Sequence, residues 1–149
     1  MIRVAVGAAP VDVAGEMARH DAGGYGASAS FVGRVRGDGG LTELYLEHHP
    51  VMTPRGLEKL AAEAQRRWTL SALTLIHRVG AMAPGETIVL VLASSAHRAE
   101  ALAACEFLID RLKTDVMLWK REAFADGRVR WVEERAGDQT RAARWERGA

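Results

Sequence analysis

The segment ETIVLVLAS, residues 86–94, constrains the fold more than any other part of the chain. It is apolar at every position from Ile88 to Ala93. Successive side chains of a β-strand point to opposite faces of the sheet, so both faces of such a strand are apolar here. This pattern is typical of strands that are covered on both sides. The segment therefore predicts a central strand with other elements packed on both of its faces.

Two long helical patterns lie on either side of this strand in the sequence. The first, MTPRGLEKLAAEAQRRW, repeats apolar residues at helical spacing, with Thr53 as the expected N-cap and Pro54 in the first helical position. The second begins near Ser95 and runs to about Lys113. A shorter helix is expected at VDVAGEMARH, near the N-terminus. The buried stripe predicted for the second long helix consists of Ala101, Leu102, Cys105, Leu108, Ile109 and Leu112.

Further strands are predicted at IRVAV, at ASASFVGRVR, which ends at Arg36, at LTELYLEHH and at ALTLIHRVG. The glycine-rich turn GDGG makes LTELYLEHH the expected antiparallel partner of ASASFVGRVR. Near the end of the chain, VMLWKREAF and RVRWVEER flank ADG, which indicates a C-terminal β-hairpin. The order of elements predicts an α+β fold, with a mainly antiparallel sheet and two main helices.

The overall composition is that of an ordinary globular protein. The chain has 149 residues, 48% of them hydrophobic and 26% charged, and we expect a single domain over residues 1–149 with a polar C-terminal tail from about residue 137. A net charge of +1 argues against binding nucleic acid or a membrane through bulk electrostatics. No apolar run approaches the roughly 18 residues of a membrane span. One cysteine and no signal-peptide pattern make the cytoplasm the expected location.

Common catalytic motifs are absent from the sequence. There is no P-loop, no H-E-x-x-H, no paired C-x-x-C and no G-x-S-x-G. His48 and His49 are adjacent, and neighbours on a strand point to opposite faces, so no metal site is predicted there. Cys105 lies on the apolar stripe of a helix, which favours a buried structural thiol. An enzyme of this kind would take its nucleophile or its sulfur from elsewhere.

Basic residues recur where predicted elements end. His97 and Arg98 occupy the first turn of a helix, where acidic residues are usual, and Arg36 closes a strand beside a glycine-rich turn. Lys113 and Lys120 lie where a helix gives way to a strand. Each residue alone is explained by solvation, or by the helix dipole for Lys113. Together they favour an anionic ligand such as a phosphate, with the chemistry left open.

Five motifs in register carry a family resemblance. FVGRVR, LEHHPVMT, IHRVG, SSAHR and LIDRLKT…WKRE, in this order and at these separations, resemble the large (catalytic) subunit of molybdopterin synthase, from about Gly26 to Trp145. The resemblance implies an α/β hammerhead fold and a homodimer. It also implies a small ubiquitin-like subunit whose Gly-Gly C-terminus carries a thiocarboxylate, giving a heterotetramer with two small subunits. Sulfur from this carrier would convert cyclic pyranopterin monophosphate into molybdopterin with its dithiolene, and no cofactor would be needed.

The resemblance also implies a role for individual residues. Lys113 would be the principal catalytic lysine, lying beside the thiocarboxylate, with Lys120 as its neighbour in the pocket. Lys120 and Arg36 would hold the phosphate and the charge that develops when the cyclic phosphate opens. His97 and Arg98 match pocket residues of the family at a helix N-terminus.

One more arginine matches the family pattern, and the sequence departs from that pattern in three places. Arg135 matches an arginine that reaches the site of the neighbouring subunit in the dimer. The usual Ala-Pro-Phe before Trp-Lys is Val116–Leu118 here, without the stiffening proline and the aromatic wall. The usual tyrosine of Glu-His-Tyr-Pro is His49, and the glycine after that proline is Val51. The loop GDGG is short. All charged residues of the implied pocket are present.

Two other functions fit parts of the sequence. The first is a non-catalytic module that binds a ubiquitin-like partner, although docking alone does not require two lysines together. The second is an RNA-binding domain, because basic residues interleaved with aromatic ones can clamp single strands. Nearby acidic residues and the small net charge argue against RNA. The basic residues of that patch are Arg128, Arg130, Arg135, Arg141, Arg144 and Arg147, with Trp131 and Trp145 between them.

Overall fold

The computed structural model describes residues 1–132 and 136–147. Within these residues the chain forms eight β-strands and four α-helices, and none of the helices is long and apolar enough to cross a membrane. In chain order the elements are β1 (Ile2–Gly7), α1 (Val13–Asp21), β2 (Ala27–Arg34), β3 (Leu41–His48), α2 (Met52–Arg67), β4 (Ala72–Arg78), β5 (Gly80–Met82), β6 (Thr87–Ser95), α3 (Arg98–Asp115), β7 (Leu118–Phe124), β8 (Val129–Val132) and α4 (Ala136–Ala143).

The first sheet has the strand order β1-β4-β6-β2 and contains the predicted central strand. β6 pairs antiparallel with both β4 and β2, and its residues are buried from Val89 to Ser95. Leu90 packs on the side of α1, whereas Val91 belongs to the main core formed with α2 and α3. The prediction of a strand covered on both faces is therefore confirmed.

The second sheet has the order β5-β3-β7-β8, and all of its pairs are antiparallel. β7 and β8 form the predicted C-terminal hairpin. The chain crosses from the first sheet to the second at Val79, between β4 and β5. Val79 and Leu46 belong to a small core cluster against which Val6 and Ile88 of the first sheet also pack. This cluster joins the two sheets and brings the end of β4 close to β3 and β7.

The fold class is α+β as predicted, but one strand pairing was wrong. β3 pairs with β5 and β7 in the second sheet, not with β2, which pairs with β6. The turn between β2 and β3 does contain the positive backbone φ angles that glycine permits, 66° at Gly39 and 81° at Gly40. A turn signal predicts that the chain changes direction, but it does not identify the strand that will lie alongside.

The start of α2 and one residue of α3 also differ from the predictions. α2 begins at Met52, and its free N–H groups at Val51 and Met52 donate to Nδ1 of His49, so Thr53 is not the N-cap. α3 begins at Arg98, and its Leu102 is 59% exposed because it lies outside the stripe that faces the core.

The segment 136–147 packs on α3. Oδ2 of Asp110 accepts a hydrogen bond from Nε1 of Trp145 at 2.9 Å, and Oδ1 accepts one from Nε of Arg141 at 2.9 Å. The Trp145 ring makes edge contacts with Trp68 and Phe107 at centroid distances of 5.7 and 5.5 Å. The region predicted as a polar tail thus contributes a helix and a buried tryptophan to the domain.

Candidate active site

The two lysines predicted to form the site lie on consecutive elements of the chain. Lys113 is in the last turn of α3, and Lys120 is the third residue of β7. Both are exposed. Lys120 pairs with Leu46 of β3, and Leu46 also pairs with Gly80 of β5. Gly80 directly follows Val79, where the chain crosses from the first sheet to the second, so Lys120 lies level with this crossing.

A histidine that the sequence analysis did not assign to the site lies near both lysines. His77, the penultimate residue of β4, is only 4% exposed, and its Nδ1–H donates to the carbonyl oxygen of Arg78 at 2.8 Å. The pKa of His77 is lowered to about 4, mainly by burial and to a smaller extent by the charges of Lys120 and Lys113, while the hydrogen bond to Arg78 opposes this shift. The imidazole is therefore uncharged at neutral pH, and both ammonium groups lie within electrostatic reach of it.

A small cavity adjoins Lys113. Its volume is about 230 Å³, below the roughly 300–1,000 Å³ of pockets that enclose a drug-sized ligand. Phe31 and Ile109 provide an apolar wall, and Phe31 keeps 37% of its surface exposed on the edge strand β2. The described part of one chain can therefore hold a small group here. The residues around the cavity are Phe31, Ile109, Asp110, Lys113, Asp138 and Arg141.

Arg36 lies at the same end of the first sheet as the lysines. It follows β2, whose last residue Arg34 pairs with Thr87 at the start of β6, and α3 runs back along β6 to end near this point. Arg36 forms an ion pair with Asp38 at 3.6 Å in which both side chains are largely exposed. Exposed pairs of this kind contribute little to stability, so an anionic ligand can replace Asp38.

The structure does not bring His97 and Arg98 to the lysines of the same chain. His97 is the N-cap of α3 and Arg98 its first residue, whereas Lys113 lies in its last turn. Arg98 and Lys113 are fifteen positions apart in the helix, which corresponds to about 22 Å. Arg135 lies outside the described residues. In one chain Lys113 and Arg36 thus lie towards one end of the first sheet, with Lys120 on β7 of the second sheet, whereas His97 and Arg98 lie at the other end of the first sheet.

Cys105 is the buried thiol that the sequence predicted. It is 7% exposed within the main core, and burial raises its pKa to about 11, with a smaller contribution from Glu106. Such a thiol is a poor nucleophile at neutral pH. Within residues 1–132 and 136–147 no three potential metal ligands are grouped together. The cytoplasmic location expected from the single cysteine stays a prediction.

The arginine–tryptophan patch that suggested RNA binding is largely engaged within the protein. Trp145 is buried, and Arg141 and Arg144 form ion pairs with Asp110 and Glu106 of α3. A ring that is packed in the core cannot stack on a base. This half of the patch holds the C-terminal helix in place.

Similarity to known proteins decides the family. A sequence model of the MoaE protein family matches residues 6–115. The chain belongs to the MoaE family. Among MoaE relatives, the molybdopterin synthase catalytic subunit of Pseudomonas aeruginosa is 50% identical over 126 residues, which cover 83% of each chain. The structure of the MoaE protein of Burkholderia ambifaria superposes with a TM-score of 0.84 and 41% identity, covering 98% of this chain and 99% of that one.

A more distant MoaE-like chain occurs in an assembly. It is part of the complex of subunits 1 and 2 of molybdopterin-converting factor from Helicobacter pylori, with a TM-score of 0.73, 21% identity and 90% and 91% coverage, and this likeness concerns the fold. Membership of the MoaE family confirms the predicted class of protein, a molybdopterin synthase catalytic subunit and thus a sulfurtransferase of molybdenum cofactor biosynthesis. The roles of individual residues in this MoaE chain remain predictions.

Proposed function

We propose that this chain transfers sulfur from the thiocarboxylated Gly-Gly terminus of a small ubiquitin-like subunit to cyclic pyranopterin monophosphate, forming the dithiolene of molybdopterin. The observation that carries the proposal is that Lys113 and Lys120 lie on two elements joined by a two-residue connection, and that the charges of both reach the buried, uncharged His77. No cofactor is required, because the carrier brings the sulfur and the pterin is the substrate.

The chemistry explains why lysines are needed. Attack of the thiocarboxylate sulfur on the pterin side-chain carbon that carries a phosphate oxygen forms a C–S bond and breaks that C–O bond, so the phosphate ring opens and a thioester joins carrier and pterin. In the second transfer, the neighbouring carbon loses its oxygen as water when the C–S bond forms. Water then cleaves the thioester, which leaves the sulfur on the pterin and a carboxylate on the carrier. Negative charge develops on oxygen during this hydrolysis and on the phosphate as its ring opens. We assign the first charge to Lys113, and the second to Lys120 and Arg36, because fixed cations stabilise such charges in a site shielded from water.

The proposed site is completed by a second copy of the chain. The cavity beside Lys113 is small, and His97 and Arg98 lie about 22 Å from Lys113 along α3. In a symmetric dimer, the start of α3 in one copy can approach the end of α3 in the other, because each surface meets its symmetry mate. We assign Arg135 to the same contact on the family pattern alone. Two small subunits bound to this dimer make the expected heterotetramer.

Mixed dimers test the shared site. Lys113→Ala and Arg98→Ala are each expected to inactivate a homodimer. A mixed dimer keeps one intact site of its two, formed by Lys113 of one chain and Arg98 of the other. Random mixing makes roughly half of the dimers mixed, so the mixture should regain roughly a quarter of the wild-type rate. Activity is measured with thiocarboxylated small subunit and cyclic pyranopterin monophosphate, following molybdopterin as its fluorescent oxidation product. No activity in the mixture would show that each chain uses its own arginine.

A further inference from the structure

We propose that Thr53 is a positioning residue of the sulfur-transfer site, because its hydroxyl group fixes the short connection between the two elements that carry the lysines. This connection consists of Val116 and Met117, between the end of α3 and the start of β7. The inference rests on the proposed function, in which Lys113 and Lys120 act together. Thr53 itself is buried in the first turn of α2 and touches neither lysine through any hydrogen bond.

The hydroxyl of Thr53 is held by two bonds. It donates to the carbonyl oxygen of Met117 at 2.6 Å and accepts from the backbone N–H of His49 at 2.9 Å. A carbonyl oxygen can only accept, so the single hydroxyl proton points to Met117 and a lone pair faces His49. Thr53 is 0% exposed, so water does not compete for these partners. One side chain thus joins the turn after β3, the first turn of α2 and the connection.

The connection has little else to hold its backbone. Val116 is anchored by apolar contacts in the main core, whereas the side chain of Met117 is 40% exposed. Within the described residues the backbone N–H of Met117 makes no hydrogen bond, so the bond that Thr53 donates to its carbonyl oxygen is the polar contact that holds the backbone of Met117. α2 runs in contact with it, since a Cβ added at Gly56 would lie 3.7 Å from the Cα of Val116.

The position of the connection determines how the lysines face each other. Lys113 lies four residues before Met117, and Lys120 lies three residues after it. A shift of the Met117 peptide moves the start of β7, and with it Lys120, relative to the end of α3. A displacement of about 1 Å in a catalytic arrangement can cost about 100-fold in rate. Loss of the hydroxyl should therefore impair sulfur transfer more than it impairs binding of the small subunit.

The test compares a substitution that removes the hydroxyl group with one that keeps it. Thr53→Val keeps the shape of the side chain but has no hydroxyl, and Thr53→Ser keeps the hydroxyl but loses a methyl group. The single-turnover rate constant is measured with saturating thiocarboxylated small subunit and cyclic pyranopterin monophosphate, and the Kd for the small subunit is measured separately. We expect Thr53→Val to lower the rate constant by at least about tenfold with a Kd within about twofold, and Thr53→Ser to stay near the wild type.

A matched core variant separates positioning from stability. Leu92→Val removes buried volume from the core cluster on the α1 side, to which no residue of the connection belongs. At a similar loss of melting temperature, only Thr53→Val should lose the rate. Thr53→Ala repeats the measurement if Thr53→Val does not fold. Wild-type rates in the hydroxyl-free variants, or equal losses in Thr53→Ser or Leu92→Val, would overturn the inference. A wild type that forms no product would instead contradict the proposed function, and with it this inference.

Discussion

Titration of His77 tests whether its imidazole is buried and uncharged, and a lysine variant in the same assay tests whether Lys120 lies near it. The folded-state pKa of His77 is about 4, against an ordinary value of 6.5. The unfolded chain therefore binds a proton first as the pH falls, so stability is lost between pH 6.5 and about pH 4. The full shift in pKa corresponds to about 3 kcal/mol in the free energy of unfolding, of which about 2 kcal/mol is lost between pH 7 and pH 5. At neutral pH the effect is nearly absent.

Replacing His77 by Asn removes the titration and leaves a polar group where Nδ1 meets the carbonyl of Arg78. The free energy of unfolding is measured in urea at pH 7 and pH 5 for both proteins. The variant should lose about 2 kcal/mol less than the wild type over this interval. Because other groups titrate in both proteins, the difference isolates His77. Equal losses would refute the assignment of a buried, uncharged imidazole.

The lysine charges can be removed in the same assay. Lys120→Met should raise the pKa of His77 and so reduce the acid-dependent loss of stability, because a cation that opposes protonation is gone. Burial, the larger cause, remains, so the pKa should stay below 6.5. Lys59→Met, an exposed lysine of α2, serves as the control and should change nothing. The same response in both lysine variants would mean that Lys120 is not near the imidazole.

Two further predictions concern the core. Asp110→Ala leaves Nε1 of Trp145 without its acceptor and should lower the free energy of unfolding in urea by about 2 to 3 kcal/mol. Glu106→Gln, at an exposed ion pair, should lower it by less than about 1 kcal/mol. Equal losses would contradict the role of the buried carboxylate. Cys105, with its pKa raised to about 11, should react with iodoacetamide at least about 100-fold more slowly in the native than in the urea-unfolded protein, and equal rates would contradict its burial.

Local patterns in the sequence were sufficient for the main elements. The apolar run in β6 predicted a strand buried on both faces, because the strand period of two leaves no polar face. The turn at ADG predicted the β7–β8 hairpin, since its two strands are close in sequence. The same reasoning failed for β2 and β3, which are also close in sequence but belong to different sheets. Burial of Leu46 between the sheets, a long-range effect, outweighs the local turn signal there.

The roles of the candidate site residues stay predictions, but their places in the fold can be compared with the sequence pattern. Lys113 and Arg36 lie towards one end of the first sheet, with Lys120 on β7 of the second sheet. His97 and Arg98 lie at the other end of the first sheet, and the predicted helix already implied this, because a helix of that length keeps its ends more than about 20 Å apart.

Two contributions to the site could not be derived from local patterns. His77 reads as one polar residue in an apolar strand, and only the crossing at Val79 brings it towards β7. The bond from Thr53 to Met117 joins residues 64 positions apart, and the sequence resembled a simple N-cap instead. Both depend on tertiary packing, which periodicity does not encode.

A single-turnover assay of sulfur transfer shows whether the reaction depends on Lys113. Wild type, Lys113→Ala and the control Lys59→Ala are each mixed with thiocarboxylated small subunit and cyclic pyranopterin monophosphate, and molybdopterin is followed as its fluorescent oxidation product. Binding of the small subunit is measured in parallel. We expect product from the wild type and the control, and none from Lys113→Ala, with binding unchanged in all three. Undiminished product from Lys113→Ala, or no product from a wild type that binds the small subunit, would contradict this expectation.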